Sequence, residues 1–307
     1  MNKTITDPAE RQLVRAISGG PLMTYHRRRQ LTGFLFVFPT LLFFVIFSVY
    51  PMLKAFQVSV FQWDLVTPMK FVGLKNYINL LQSENFIRAF KVTWSYIVLV
   101  YPVSWVLGFA LAVLLNKRFP GRDFFRTAFF LPTIFPIIGM SLAWWVMYQP
   151  TGLVNNLLGR TIHWMTRSKY AMPGIAIMDI WRGMGYWMIL FLVGLQSIPN
   201  EFYDAAKIDG AGAWQLLRYV TVPLMKPTFS LIVVISLIWG MQVIVPMFVM
   251  TQGGPGNATR SLVMLIYQTG IRDWRMGVAC AMSVILFFVM LILTVFQLRV
   301  FRVHEGE

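Results

Sequence analysis

The sequence predicts an all-α membrane protein with six transmembrane helices. Three observations carry that prediction. The 307-residue chain is 57% hydrophobic and only 13% charged, whereas a soluble globular chain is about 45–50% apolar and about 25% charged. Its charges fall in clusters separated by long uncharged stretches. Those stretches do not alternate as barrel strands do, so helices must satisfy their backbone within the bilayer.

The remaining composition excludes other classes. A mean hydropathy of +0.62 is incompatible with a disordered chain and argues against an ordinary soluble enzyme. The net charge is +15, which on a soluble chain would point to nucleic acid. Here the basic residues lie between apolar blocks, as they do beside bilayers, and no basic–aromatic motif accompanies them. The predicted partner is therefore membrane lipid and not nucleic acid. The single cysteine, Cys280, sits in an apolar run and reads as a small buried hydrophobe. His26, His163 and His304 are far apart with no cysteine nearby, so no metal site is predicted.

Each span is read from a gap between charges, because a helix needs about 20 apolar residues to cross the hydrocarbon. The uncharged gaps are 24 residues from Arg29 to Lys54, 25 from Lys91 to Lys117 and 33 from Arg126 to Arg160. They are again 33 from Lys226 to Arg260, and 23 from Arg275 to Arg299. Between Tyr170 and Asn200 only Asp179 and Arg182 interrupt a further apolar block. The predicted spans are 31–53, 92–116, 126–148, 171–196, 227–250 and 277–299. Pro39, Pro51, Pro102, Pro132, Pro136 and Pro246 lie within or near them and predict kinks, which membrane helices tolerate.

Orientation follows from the short flanks, which weigh most in the positive-inside rule. Arg27, Arg28 and Arg29 abut the first span, and Lys117, Arg118, Arg122 and Arg126 crowd the loop after the second. Both termini are therefore placed in the cytoplasm. Residues 1–30 read as a cytoplasmic segment and residues 31–307 as the transmembrane domain. No small-residue cleavage pattern follows the first apolar block, so it reads as a retained anchor.

The loop from about 198 to 226 is the most structured of the connections. Asn200 is placed to cap a helix, and Glu201 and Asp204 suit its positive N-terminal end. Phe202, Ala205, Ala206 and Asp209 recur at helical spacing, and Gly210 supplies a stop. A second helix is expected to end before Pro223. Small residues at 205, 206 and 210–213 permit close backbone approach by a partner. A self-packed loop on the bilayer surface is the alternative.

This segment resembles the EAA loop of ABC-importer permeases. Asp204-Ala205-Ala206 stands where the family has Glu-Ala-Ala, followed by Gly210 and by Pro223-Leu224. Three more stretches are similar to family segments in the same order. They are Phe71-Val72-Gly73-Leu74-Lys75-Asn76-Tyr77, Trp181-Arg182-Gly183-Met184-Gly185-Tyr186 and Thr251-Gln252-Gly253-Gly254-Pro255. Together they resemble the carbohydrate-uptake branch, the permeases similar to the maltose, lactose and glycerol-phosphate systems.

The resemblance implies a type I permease fold and a location in the bacterial cytoplasmic (inner) membrane. It implies a second permease subunit, read as a different chain, two ATPase subunits and an extracytoplasmic solute-binding protein. Glu201, Asp204, Ala205, Ala206, Asp209, Gly210 and Ala211 are then the ATPase-coupling residues. ATP and Mg are expected on the partner ATPases, with no cofactor bound by this chain. The sequence itself contains no G-x-x-x-x-G-K-[ST] phosphate loop, in keeping with a non-catalytic subunit.

Substrate-pathway candidates come from polar and aromatic residues within the spans. Asp179 and Arg182 share a helix face, where intramembrane charges face a bundle interior or a wet cavity. They read either as sugar contacts or a gate, or as a salt bridge that sets helix packing. Gly183 and Tyr186 fall where the resemblance places sugar. In the fifth span Ser236, Trp239, Gly240 and Val243 share a stripe, with Gln242 beside it. An aromatic ring can stack on a sugar's apolar face while hydroxyls and amides bond its hydroxyls. Plain packing is the alternative for Trp239.

Two other classes compete. A membrane-embedded lipid-modifying enzyme needs dense acidic clusters, and only Asp204 and Asp209 stand at a membrane face. An ion-coupled secondary transporter favours several intramembrane acids and inverted repeats, whereas one acid and no evident repeat are present here.

Overall fold

The computed structural model describes residues 22–302. The predicted N-terminal segment as far as residue 21, the side chains of the Arg27–Arg29 flank, and His304 lie outside the described residues. The chain divides into two compact units, one ending at Gln57 and the other beginning at Val58.

In the first unit, α1 (Leu22–Phe44) passes through a π-helical turn, Val45–Val49, into α2 (Tyr50–Ser59). Residues Thr32–Ser59 form one apolar span of 28 residues with a mean hydropathy of 2.3. Pro39 stays inside α1 and Pro51 follows the π-turn, so neither ends the span.

The second unit opens with a short antiparallel pair, β1 (Phe61–Gln62) and β2 (Lys70–Phe71), in which Phe61 faces Phe71. After α3 (Lys75–Leu81), Ser83 caps α4 (Glu84–Asn116), its hydroxyl accepting from the Phe86 N–H. There follow α5 (Arg122–Ile134), α6 (Ile137–Met147), α7 (Leu153–Leu158) and α8 (Ser168–Gln196). Next come α9 (Asn200–Ile208), α10 (Ala213–Gln215), α11 (Val222–Leu224) and α12 (Lys226–Met241). The unit closes with α13 (Val245–Thr251), α14 (Leu262–Tyr267) and α15 (Met276–Arg302). Among the described residues four helices are long and apolar enough to cross a bilayer, and two bent pairs bring the number to six.

Those bent pairs correct the predicted spans. The third, expected as one helix over 126–148, breaks between α5 and α6 with a 94° bend. Pro136 drives Phe135 into extended backbone, with ψ 139, and supplies no N–H to carry the ladder across. The fifth, expected over 227–250, stops at Met241 and resumes as α13. Pro246 has no N–H for the Gln242 carbonyl and its ring would clash there, so the helix ends first. Pro102 and Pro132, by contrast, remain within α4 and α5.

The bundle core lies along α4 and α8. Tyr96 of α4 and Ile175, Met178, Met188 and Phe191 of α8 are fully buried. Methionine fills much of the rest, through Met225, Met241, Met247, Met264 and Met282. Its flexible thioether suits the irregular gaps between kinked helices. Close approach depends on small residues, as is usual where the lipid gives no hydrophobic drive for helices to associate. A Cβ on Gly108 would stand 2.8 Å from Trp187 Cβ, and one on Gly240 would stand 2.6 Å from Ile97 Cγ1. At Gly185 it would collide with the Phe129 carbonyl oxygen and stand 2.9 Å from Phe130 Cα. Backbone cannot yield as a side chain can. Gly185→Ala is therefore expected to cost about 1–3 kcal/mol. A lowered thermal midpoint of the detergent-purified protein would show this, and an unchanged midpoint would contradict it.

Candidate functional site

Two regions hold the predicted functional residues, and they differ in kind. The first is α9 and its continuation. Asn200 does not cap this helix. Pro199 occupies the cap position, no side chain bonds the first turn, and Asn200 is already helical. The C-terminal stop is as expected from Gly210, which adopts φ +83. The Gly210 N–H donates to the Lys207 carbonyl at 3.0 Å, and the Ala211 N–H to the Ala206 carbonyl at 2.9 Å. Those two bonds form a Schellman motif, which needs the left-handed conformation that glycine adopts at little cost.

The second helix does not end before Pro223. From α10 it runs through a π-helical turn, Leu216–Thr221, into α11 and includes Pro223. The π-turn bonds Val222 N–H to the Leu217 carbonyl, five residues back, so the missing proline N–H falls where the ladder is already shifted. Tyr203 and Thr221 pair their hydroxyls at 3.1 Å and tie the two limbs together. Outside that contact the segment is open. Ile208 is 87% exposed and Trp214 72%. Glu201, Asp204, Ala205, Asp209 and Gly210 are exposed, and Ala206 and Ala211 are half-buried. Beside the start of α9, Glu201 shares a polar groove of about 630 Å³ with Asn116, Arg118 and Arg122. The loop after α4 and the start of α9 therefore lie at one end of the bundle.

The second region is the middle of α8 and the end of α12. Asp179 is buried, and its Oδ1 accepts from Arg182 Nη2 at 2.8 Å and from Nε at 2.9 Å. Its other oxygen accepts from the Tyr96 hydroxyl. The Arg182 carbonyl accepts from the Thr133 hydroxyl at 2.9 Å, which joins α8 to α5. The charged pair is thus internally satisfied, and it spans three helices through its partners. One turn on, past the half-buried Gly183, Tyr186 lies against Trp239 with ring centroids 5.1 Å apart. Trp187 backs both rings, 5.1 Å from Tyr186 and 5.9 Å from Trp239. Trp239 is 49% exposed, while Trp187 is buried.

The structure divides the predicted α12 set. Ser236 and Gly240 are buried and turn toward α4. Ser236 accepts from Trp105 Nε1 at 2.9 Å and donates to the Ile232 carbonyl, and Gly240 packs on Ile97 and Tyr101. Trp239 instead joins Tyr186 at the surface of the unit. Gln242 is exposed, its amide 3.7 Å from Met290 Sδ. Tyr96, Trp105 and Trp187 belong to this region although sequence reasoning did not select them. Trp105 stands four residues after Tyr101, on the same α4 face, and that aromatic spacing was the available signal.

Known proteins match this architecture and its sequence. Residues 104–302 match the family described as the binding-protein-dependent transport system inner membrane component. The trehalose/maltose transport system permease protein MalF of Thermococcus litoralis is 32% identical, over 88% of this chain and 93% of that one. The arabinooligosaccharides transport system permease protein AraP of Halalkalibacterium halodurans is also 32% identical, over 90% of each. A crystal structure of a bacterial ABC transporter that imports the acidic polysaccharide alginate superposes with a TM-score of 0.81. It is 24% identical and covers 92% of this chain and 99% of its own, a likeness of fold. With most of its helices inside the matched region, this chain belongs to the family of binding-protein-dependent transport system inner membrane components.

Proposed function

We propose that this chain is one permease subunit of an ATP-driven importer that moves a carbohydrate, an oligosaccharide in particular, inward across the cytoplasmic membrane. It lines half of a gated pathway with a second, different permease chain. Two ATPase subunits bind ATP and Mg and perform the hydrolysis, and an extracytoplasmic binding protein delivers the sugar. This chain carries no catalysis and no cofactor of its own. Both termini and the α9 segment lie in the cytoplasm. The sugar-importing permeases among its relatives support the substrate class.

The observation that carries the reading is the Tyr186–Trp239 pair. It presents a half-exposed aromatic face at the middle of the spans, beside Arg182. Such a face stacks on the apolar side of a pyranose ring without ionic interaction. Glu201, Asp204, Ala205, Ala206, Asp209, Gly210 and Ala211 form the contact with the ATPase. Its movement is transmitted through α8 and α12 into alternating access, a two-state rearrangement of packed helices.

The test is sugar uptake by proteoliposomes holding the complete complex. Trp239→Ala is expected to raise the apparent KM for the transported sugar about tenfold, a loss of ~1.4 kcal/mol of stacking, with ATP hydrolysis retained. Trp239→Phe is expected to recover most of it. A wild-type complex that takes up no carbohydrate, or an unchanged KM in Trp239→Ala, would contradict the proposal.

A further inference from the structure

The largest unexplained feature lies at the opposite end of the bundle from α9. Helix α4 is 33 residues long, or about 50 Å. Its last residue, Asn116, lines the groove shared with Glu201. Its first turn, through Asn85 and Phe86, lines an open chamber of about 620 Å³. The chamber is built from the 61–71 hairpin, α3, the start of α4 and the connection from α14 to α15.

Its charge is not balanced. Lys70, Lys75, Arg260 and Arg275 contribute to its wall, and the acids are Asp64 and Asp273. Asp64 accepts from the Thr67 N–H and the Thr67 hydroxyl, both at 2.8 Å, and the Thr67 N–H holds its carboxyl below the ordinary range. Asp273 is engaged with Arg272 Nε at 3.0 Å. None of the four cations makes an ion pair within 4.0 Å of a described residue. Partial burial and the nearby Arg272 and Arg88 lower the pKa of Arg260, with Asp273 opposing. Arginine stays charged nonetheless, so an anion entering here would relieve like-charge repulsion as well as form pairs.

The rim is apolar and held in costly backbone. Val66 is 80% exposed, Phe71 68% and Trp274 53%. Leu65 and Trp274 adopt left-handed φ values of 68 and 57, which cost about 1–3 kcal/mol each and persist only where their surroundings impose them. Exposed aromatics around a charged, polar floor resemble a protein interface more than a sugar pocket, which would be deeper and more enclosed.

We propose that this chamber is the seat for an acidic segment of the solute-binding protein, with Arg260 and Arg275 as its carboxylate anchors. The inference rests on the importer reading above, because it needs such a protein and an extracytoplasmic face. Charge complementarity selects the occupant. The unpaired cations recruit carboxylates, and the apolar rim excludes water around them once docked.

The experiment uses the complete complex in lipid nanodiscs, titrated with the purified solute-binding protein that stimulates its ATP hydrolysis. Arg260→Glu and Arg275→Glu are each expected to raise its Kd at least about tenfold. The fall in affinity between about 50 and 500 mM salt is expected to flatten in both variants. ATP hydrolysis without the binding protein stays at the wild-type level, and Arg260→Lys keeps Kd within about threefold of wild type. Arg275 is exposed, so its variant tests the charge without disturbing packing. Wild-type affinity and salt slope in both charge reversals overturn the proposal. Wild-type affinity with lost uptake places the substrate in the chamber instead, and also overturns it. A wild-type complex that no solute-binding protein stimulates defeats the importer reading itself.

Discussion

Gly210→Pro is expected to abolish ATP-dependent uptake while leaving the chain inserted in the membrane. Proline holds φ near about −65°, whereas Gly210 stands at +83. The same substitution removes the N–H that donates to the Lys207 carbonyl at 3.0 Å. The Schellman motif cannot form, so α9 loses its stop and its angle to the α10 limb. Because most of this segment is exposed and contributes little to the bundle core, the spans should still fold. Gly210→Ala is the graded comparison. It keeps the N–H and costs about 1–2 kcal/mol for the left-handed conformation, so partial uptake is expected. Uptake and ATPase retention are measured side by side for the two variants. If Gly210→Pro leaves both intact, α9 is not the coupling element.

Asp179→Ala is expected to be the most destabilising single change within the spans. It strands the Arg182 guanidinium, whose side chain is only 22% exposed, and it strands the Tyr96 hydroxyl. Breaking a buried pair from one side costs about 3–5 kcal/mol, a large part of the roughly 5–15 kcal/mol that holds a domain together. A broad, early-eluting profile in size-exclusion chromatography and a lowered thermal midpoint are expected. Replacing both partners, as Asp179→Leu with Arg182→Met, removes the stranded charge and should restore a monodisperse protein. If Asp179→Ala melts with the wild type, the pair does not hold α8 against α4.

Much of the topology was legible because charge is excluded from hydrocarbon. Lys91, Lys117, Arg275 and Arg299 bracket apolar runs that the structure shows as α4 and α15. The breaks were less legible. Pro102 and Pro132 stay within helices while Pro136 and Pro246 mark interruptions, and proline chemistry is identical at all four. What separates them is whether neighbouring helices re-satisfy the freed carbonyls, and one sequence does not state its neighbours. Gly210 was legible because only a left-handed turn explains a glycine after a helical run. The passage through Pro223 was not, because the π-turn before it leaves no periodic signature in six residues.

The pathway region divides in the same way. Asp179 and Arg182 meet because a spacing of three places them on one helix face. Tyr96 completes their network from 83 residues away, and nothing local announces it. Ser236 and Trp239 share a stripe by period, yet Ser236 turns into α4 and Trp239 meets Tyr186. Period sets which residues are neighbours along a helix, while tertiary packing sets which way the helix is rotated.

The central claim is that this chain works as one subunit of an ATPase-driven complex. The most direct measurement is purification of the tagged full chain in mild detergent, with mass spectrometry of every protein retained. The account predicts an ATPase and a second six-span permease in stoichiometric amounts, with the ATPase lost in Gly210→Pro. A chain that elutes alone, folded and monodisperse, would contradict it.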